Sequence, residues 1–178
     1  MIKQYIKNLY YRKIKGMKQH EILIEHLRKT GMKIGDDCWI FSSSIETAEP
    51  YLVTIGNHVM ISSDVKFTTH DASAAYYLKG TSDIFGRITI GDNVFIGMGT
   101  IVLPGVEIAK DCIIGAGSVV TKSFLQPGSI IAGNPVKVIS TTEKIRIKNK
   151  RYGLNTHNMN FEQKKKYLDD NSEKFKKV

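Results

Sequence analysis

The 178-residue sequence has little cysteine, proline and tryptophan, with two, four and one of these residues respectively. Cys38 and Cys112 are too few for a disulfide framework or a cysteine-rich metal cluster, and two thiols fit a reducing compartment. No apolar run approaches the ~20 residues that a membrane-spanning helix requires. The basic segment 1–16 also lacks the uninterrupted apolar core of a signal peptide. We therefore expect a cytoplasmic protein made of one domain with terminal extensions.

Negative charge is scarce at both ends of the chain. Residues 1–33 carry nine Lys and Arg against two acids, residues 137–178 carry twelve against five, and residues 34–136 carry five against ten, for a net charge of +9. The basic ends have two interpretations: solvated helix faces, or attraction to a polyanion such as a phosphorylated cofactor, a glycan or the inner face of a membrane. Aromatic residues do not interleave with the basic clusters, and we expect no nucleic-acid partner.

A six-residue repeat runs through the middle of the chain. Its apolar positions form three series, which are Ile34 and Ile40; Ile55, Ile61 and Phe67; and Ile90, Ile96, Val102, Ile108, Ile114 and Val120. Glycine directly follows five of these residues, and a β-branched residue before a glycine suits a short extended segment that ends in a sharp turn. Three such segments would make a triangular coil of ~18 residues, and stacked coils would form parallel sheets around a common core.

Four residues after each apolar position the sequence has a small or β-branched residue in most units. Cys38, Ser44, Cys112 and Ser118 all occupy this position. We therefore predict that both cysteines fill the core and have no redox or ligand role.

The repeat is interrupted twice. Fifteen residues separate Ile40 from Ile55, three more than two units, and the extra residues lie within SSSIETAEPYL at 42–52. A longer loop follows His70 and extends to Arg87, and long loops on rigid scaffolds are a common place for function. From spacing alone, His70 is either a polar corner residue or a catalytic base.

The stretch 88–139, in which IGAGSVVTK is followed by AGNPVKVI, resembles the hexapeptide-repeat acyltransferases, in particular the galactoside, maltose and capsular-polysaccharide O-acetyltransferases. The resemblance covers roughly residues 34–139 and implies an all-β core that is a left-handed parallel β-helix. We expect a helical cap at 1–33, the β-helix with loop 70–87 at 34–139, and a basic helical extension at 140–178.

Details of the two ends follow from local patterns. Apolar residues from Ile2 to Leu27 recur at helical spacing, which predicts one or two amphipathic helices, and Gly31 marks their end. We expect GSIIAGNPVKVI at 128–139 to leave the β-helix as an extended tail. Residues 143–178 should be largely helical, with a break at YGLNTHN.

The resemblance implies an acetyl-CoA-dependent O-acetyltransferase that acts on a sugar hydroxyl in surface polysaccharide or lipopolysaccharide synthesis, without a metal. TTHDAS at 68–73 is similar to the family's threonine-histidine element, which makes His70 the general base. A neutral imidazole can take a hydroxyl proton at physiological pH. Its orienting group is either Asp71 or a backbone carbonyl.

The resemblance also implies the binding residues. The oxyanion donor and part of the coenzyme A cleft would come from Gly97 and Met98. The rest of the coenzyme site would comprise Gly115, Ala116, Thr121, Lys122 and Lys137. Acceptor-binding candidates are Ser42, Tyr76, Tyr77 and Arg87. Family members are homotrimers with intersubunit sites, so His70 would come from one chain and much of the coenzyme cleft from the next.

Two alternatives stay open at this point. The same scaffold could acetylate an amino sugar, an antibiotic or serine, in which case an amine acceptor would depend less on His70. The chain could also be a non-catalytic binding or assembly scaffold. Thermal stabilisation by coenzyme A would separate an enzyme from a scaffold, because a ligand of the folded state raises its melting temperature.

Overall fold

The computed structural model describes residues 18–176, and the chain divides after Thr142 into two compact units. The first unit begins with helix α1, Gln19–Lys29, which buries Ile24 and Leu27. Gly31 follows the helix at a φ of 108°, a left-handed conformation that glycine adopts without steric cost. The part of the predicted helical stretch that precedes residue 18 lies outside the described residues.

Fifteen short strands follow among the described residues, and most contain two residues. They are β1 Lys33–Ile34, β2 Trp39–Ile40, β3 Val53–Ile55, β4 Met60–Ile61, β5 Lys66–Phe67, β6 His70–Asp71, β7 Ile84–Phe85, β8 Ile88–Ile90, β9 Phe95–Ile96, β10 Ile101–Val102, β11 Glu107–Ile108, β12 Ile113–Ile114, β13 Val119–Val120, β14 Ser129–Gly133 and β15 Val136–Thr141.

Three sheets form the faces of a triangular coil. Their strand orders are β1-β3-β8-β11, β2-β4-β9-β12-β14-β15 and β5-β10-β13, and every pairing except β14 with β15 is parallel. Corresponding members of the second and third apolar series lie opposite one another on the same face: Ile55 pairs with Ile90, and Ile61 pairs with Ile96. The prediction of a parallel β-helix of hexapeptide repeats is therefore confirmed.

The core lies along the axis of the coil. Ten of the eleven apolar repeat residues are at most 4% exposed, and Ile34 is partly buried at one end. Cys38 and Cys112 are buried in the same core, as predicted. Each fully buried isoleucine contributes about 1.5–3 kcal/mol relative to an exposed one. The coils stack closely at the corners, since a Cβ added to Gly91 would lie 2.6 Å from the backbone nitrogen of Lys110.

Two local predictions are wrong. Ser44 was placed at the small-residue position of the repeat, but a 3-10 helix, Ser43–Ile45, turns it outward, so that Ile45 is buried and Ser44 is exposed. The segment 128–139 does not leave the β-helix as a tail. Strand β14 continues the second face by pairing with β12, and β15 folds back antiparallel onto β14. The backbone of this segment satisfies its hydrogen bonds within the sheet, which a departing tail could not do.

The second unit is helical and basic. Helix α2 is Thr142–Asn149, a 3-10 helix spans Lys150–Tyr152, and helix α3 is Phe161–Asp170. Asn160 caps α3 by accepting a hydrogen bond from the Gln163 backbone, and the Gln163 side chain accepts one from Asn160 in return. The predicted break at YGLNTHN lies between the two helices. Within residues 18–176 no helix has the length and apolar character needed to cross a membrane.

Candidate active site

His70 lies at the corner where the third face of the second coil ends. Strand β6, His70–Asp71, pairs antiparallel with β7, Ile84–Phe85, and the pair closes the base of the predicted loop. Inside the loop a 3-10 helix, Ala72–Tyr76, buries Ala74 completely. The loop is therefore closed at its base by β6 and β7, which constrains the backbone that carries His70.

Glu49 is the carboxylate that contacts His70. Its Oε2 atom lies 2.9 Å from Nδ1 of His70 and also accepts a 2.6 Å hydrogen bond from the Thr69 hydroxyl. Thr69 is buried, the Glu49 side chain is 16% exposed, and the His70 side chain is 40% exposed. The imidazole is thus held on one side by a largely buried acceptor and is open to solvent on the other.

The electrostatics of this pair follow from the same contacts. The hydrogen bonds from Thr69 and His70 hold the pKa of Glu49 below its usual range. The hydrogen bond to Glu49 raises the pKa of His70 above its ordinary value, although partial desolvation opposes this effect. A carboxylate can only accept, so in the neutral ring Nδ1 carries the proton and Nε2 presents a lone pair. Such a ring can act as a base through Nε2.

Asp71 lies beside His70 in sequence but serves a different local contact. Its carboxylate accepts a 2.9 Å hydrogen bond from the Ser73 backbone and caps the 3-10 helix Ala72–Tyr76. These bonds from Ser73 lower the pKa of Asp71. Neighbouring residues of a strand point to opposite sides, which explains the separation of Asp71 from the His70 ring. The group bonded to Nδ1 is therefore Glu49, and a catalytic role for Asp71 stays a prediction.

Sequence reasoning missed Glu49, although a signal existed. Glu49 precedes His70 by 21 residues. The same separation pairs Ile34 with Ile55 and Ile40 with Ile61. Glu49 therefore occupies the corresponding corner one coil earlier, within the insertion that lengthens the first coil.

The acceptor-binding candidates divide into two groups. Tyr76 and Tyr77 on the loop are 94% and 62% exposed, and Arg87 is exposed at the end of the loop. Phe85 was not predicted; its ring centroid lies 6.0 Å from that of His70, and it is 55% exposed. Ser42 lies apart from this group, because it is buried and its hydroxyl donates to the carbonyl of Val65.

The predicted coenzyme residues lie at two different corners. Thr121 and Lys122 follow strand β13 and share the corner of His70, since β13 and β5 both pair with β10. Lys122 is exposed, and its Nζ lies 5.7 Å from the centre of the Phe124 ring. Thr121 is exposed as well. These two residues are thus available to a ligand at the His70 corner.

The second corner lies at the opposite edge of the same sheet, where strands β10 and β13 begin. Gly97 and Met98 precede β10, Gly115 and Ala116 precede β13, and the Met98 side chain is 55% exposed. A Cβ on Gly97 would lie 2.5 Å from the Ala116 nitrogen, so close stacking of the coils also requires glycine here. A Cβ on Gly115 would lie 2.8 Å from the Cβ of Ala132, which is paired with the exposed Lys137 on β15. Lys137 therefore belongs to this corner.

The width of the third face separates the two corners. The six residues from Gly97 to Val102 form a turn followed by strand β10, and they span at most roughly 16 Å. A base and an oxyanion donor that act on one acetyl group must each lie about 3 Å from the atoms they serve. Within one chain, His70 and Met98 lie at opposite edges of the third face.

Among residues 18–176, no group of three or more His, Cys, Asp or Glu side chains is placed so that it could hold a metal ion. The two cysteines are free and buried, and burial raises the pKa of each thiol. A thiol with a raised pKa is a poor nucleophile, because the reactive form is the thiolate.

Comparison with known proteins gives consistent results. Residues 87–122 match the bacterial transferase hexapeptide family, with six repeats. The chain is 44% identical over 148 residues to protein CapG of Staphylococcus aureus, which covers 81% of this chain and 86% of CapG. A maltose O-acetyltransferase from Clostridium difficile 630 has a similar structure, with a TM-score of 0.56, 27% identity, and coverage of 70% of this chain and 76% of that one.

A further solved structure is a hexapeptide-repeat acetyltransferase from Vibrio cholerae O1 biovar eltor in complex with acetyl-coenzyme A. It has a TM-score of 0.56 and 28% identity, and covers 62% of this chain and 60% of that one. The chain described here belongs to the hexapeptide-repeat acetyltransferases. It is an acyltransferase, and its β-helix is left-handed, as the resemblance implied.

Proposed function

We propose that this protein transfers an acetyl group from acetyl-CoA to a sugar hydroxyl, in the synthesis of a surface polysaccharide or lipopolysaccharide. The observation that carries the proposal is the imidazole of His70, which is bonded to Glu49 through Nδ1 and exposed at a corner beside an aromatic-rich loop. The similarity to a maltose O-acetyltransferase supports a sugar hydroxyl as the acceptor. The similarity to an acetyltransferase solved with acetyl-coenzyme A supports that co-substrate.

In this mechanism acetyl-CoA supplies an activated acyl group and His70 moves the proton. Neutral His70 takes the proton of the acceptor hydroxyl at Nε2 while Nδ1–H remains bonded to Glu49. The hydroxyl oxygen bonds to the acetyl carbon, the carbon–sulfur bond breaks, and the imidazolium returns the proton to the departing thiolate. The backbone N–H of Met98 would stabilise negative charge on the acetyl oxygen. This chemistry requires no metal.

We further propose that the active form is a homotrimer with active sites between neighbouring chains. His70, Thr121 and Lys122 would come from one chain, while Gly97, Met98, Gly115, Ala116 and Lys137 would come from the next. The separation of the two corners by the width of one face supports this arrangement. Closed cyclic symmetry would give three equivalent sites per trimer.

The location follows from the co-substrate. Acetyl-CoA and two free thiols favour a reducing, cytoplasmic setting. The second unit carries exposed lysines and arginines together with exposed Ile147, Phe161 and Phe175. We propose that the basic ends bring the enzyme to the inner face of the membrane by attraction to anionic lipids.

The test is His70→Ala assayed with acetyl-CoA against a panel of sugars and glycan intermediates. The variant should bind coenzyme A, as seen in a thermal shift, while acetyl transfer falls by about 10²–10⁴, the usual contribution of a general base. His58→Ala is the control, because His58 is 60% exposed and pairs with Asp37 at another corner. Wild-type turnover in His70→Ala, or acetylation of amines but no hydroxyl, would contradict the proposal.

A further inference from the structure

We propose that Glu49 is the positioning residue that fixes the orientation and tautomer of the His70 ring, and that the buried Thr69 hydroxyl holds Glu49 in place. One carboxylate oxygen, Oε2, accepts from both Thr69 and His70. The kinetic part of this inference rests on the proposed function. The structural part concerns only the state of the His70 ring.

Thr69 is unusual among the buried hydroxyl residues of the described chain. Five Ser and Thr residues are buried in residues 18–176, and four of them donate to backbone carbonyls: Ser42, Thr100, Ser118 and Ser129. Thr69 alone among the five donates to a side chain. A valine would fill this core position without any polar atom to satisfy, so a threonine bonded to Glu49 indicates a role beyond packing.

Both anchors of the carboxylate are themselves fixed. Glu49 precedes Pro50, which is buried and begins the 3-10 helix Pro50–Leu52. The carbonyl of Thr69 accepts a hydrogen bond from the Gly86 backbone at the base of the loop. The carboxylate therefore meets His70 from a rigid position, and little conformational entropy is lost when the hydrogen bond forms.

The consequence for His70 is a single neutral tautomer with a free Nε2 and a raised pKa. Glu49 supplies the hydrogen bond and the nearest negative charge, and the charges of Asp83 and Asp71 on the hairpin raise the pKa further. His70 must be neutral to act as a base, so activity should rise with pH through this raised pKa. Removal of the Glu49 charge should move that rise to lower pH.

A second glutamate–histidine pair provides a matched control. Glu46, three residues before Glu49, lies 3.3 Å from His26, and both side chains are 44% exposed. Glu46→Gln removes one negative charge from the same segment without touching His70. It therefore reports any effect of charge loss or local refolding in this part of the chain.

The kinetic experiment compares Glu49→Gln, Thr69→Val and Glu46→Gln. We expect Glu49→Gln to lower kcat by about tenfold to a hundredfold, less than loss of the base itself. The KM for acetyl-CoA should not change, and the acid limb of kcat/KM should move to lower pH. Thr69→Val should also lower kcat and move the acid limb of kcat/KM to lower pH, but each change should be smaller than in Glu49→Gln. Glu46→Gln should match the wild type.

The tautomer of the His70 ring can be measured without any acetyl transfer, by nitrogen NMR of protein labelled at histidine. Neutral His70 should carry its proton on Nδ1 in the wild type and should lose this preference in Glu49→Ala, with circular dichroism as the folding control. A wild-type His70 protonated on Nε2, or variants with unchanged tautomer and pH profile, would overturn the inference. If the tautomer is as expected but no acceptor is acetylated, the positioning role stands and the proposed function fails.

Discussion

A mixture of two inactive variants should regain activity if the active site lies between chains. His70→Ala removes the base at one corner and leaves the Met98 corner intact. Met98→Pro removes the backbone N–H proposed as the oxyanion donor and leaves His70 intact. Proline fits position 98, because Gly99 follows in a turn at a φ of 70°, the arrangement of a type II turn.

The expected recovery follows from the geometry. Each site of the trimer takes the His70 corner from one chain and the Met98 corner from the next. In a mixed trimer a site is therefore intact only when its His70 corner belongs to a Met98→Pro chain and its Met98 corner belongs to a His70→Ala chain. Random mixing in equal amounts makes about one quarter of the sites active. A closed ring that contains both variants has one intact site of three, so trimers selected for both chains should show about one third of wild-type activity.

The assay is co-expression with two different affinity tags, tandem purification and measurement of coenzyme A release. Each variant alone should retain only residual activity, about 10²–10⁴-fold below wild type for His70→Ala. A site built within one chain predicts that the mixed trimers are no more active than the mean of the two variants. That result would refute the intersubunit site while leaving the fold unaffected.

Two further predictions concern the core. Ile96→Ala empties a fully buried position between Ile61 and Ile114, and should lower the free energy of unfolding by about 2–5 kcal/mol in urea titrations. The control is Lys66→Ala at an exposed position, which should change the free energy of unfolding by less than about 0.5 kcal/mol. Equal losses of stability in the two variants would mean that the stacked core residues do not carry the stability of the fold. Cys38 and Cys112 should react slowly with a thiol reagent at neutral pH and quickly once the chain is unfolded, because burial raises the pKa of both thiols; rapid stoichiometric labelling of the native protein would contradict their placement in the core.

The regular part of the fold could be predicted from the sequence because each six-residue unit shows which residue is buried and where the chain turns. From Ile90 to Val120 every sixth residue is buried, and the glycine after Ile90 stands where the next coil leaves no room for a side chain. The first coil could not be predicted in detail, since spacing shows that three residues are extra but not where they bulge. The chain accommodates them through Ser43–Ile45 and Pro50–Leu52, which moves Ile45 inward and Ser44 outward.

The candidate site could be predicted only in part, because the repeat pattern locates His70 but not Glu49. His70 stands at a visible interruption of the repeat, whereas its partner Glu49 comes from an insertion whose register is set by tertiary packing. Once the first coil is known to contain 21 residues, the pairing of Ile34 with Ile55 also places Glu49 below His70. The antiparallel return of β15 was missed because its residues satisfy no hexad pattern, and its position depends on hydrogen bonds to β14.

Both interruptions of the repeat occur at one corner of successive coils, and this coincidence explains how a repetitive scaffold can hold a reactive site. A side chain on a face must fit the ladder of strands above and below it, whereas a corner can accept extra residues without breaking a sheet. The first interruption lies before β3 and supplies Glu49, and the second lies between β5 and β8 and supplies the hairpin with Phe85. Because consecutive coils stack directly, two insertions that are distant in sequence place an acid below an imidazole and an aromatic ring beside it.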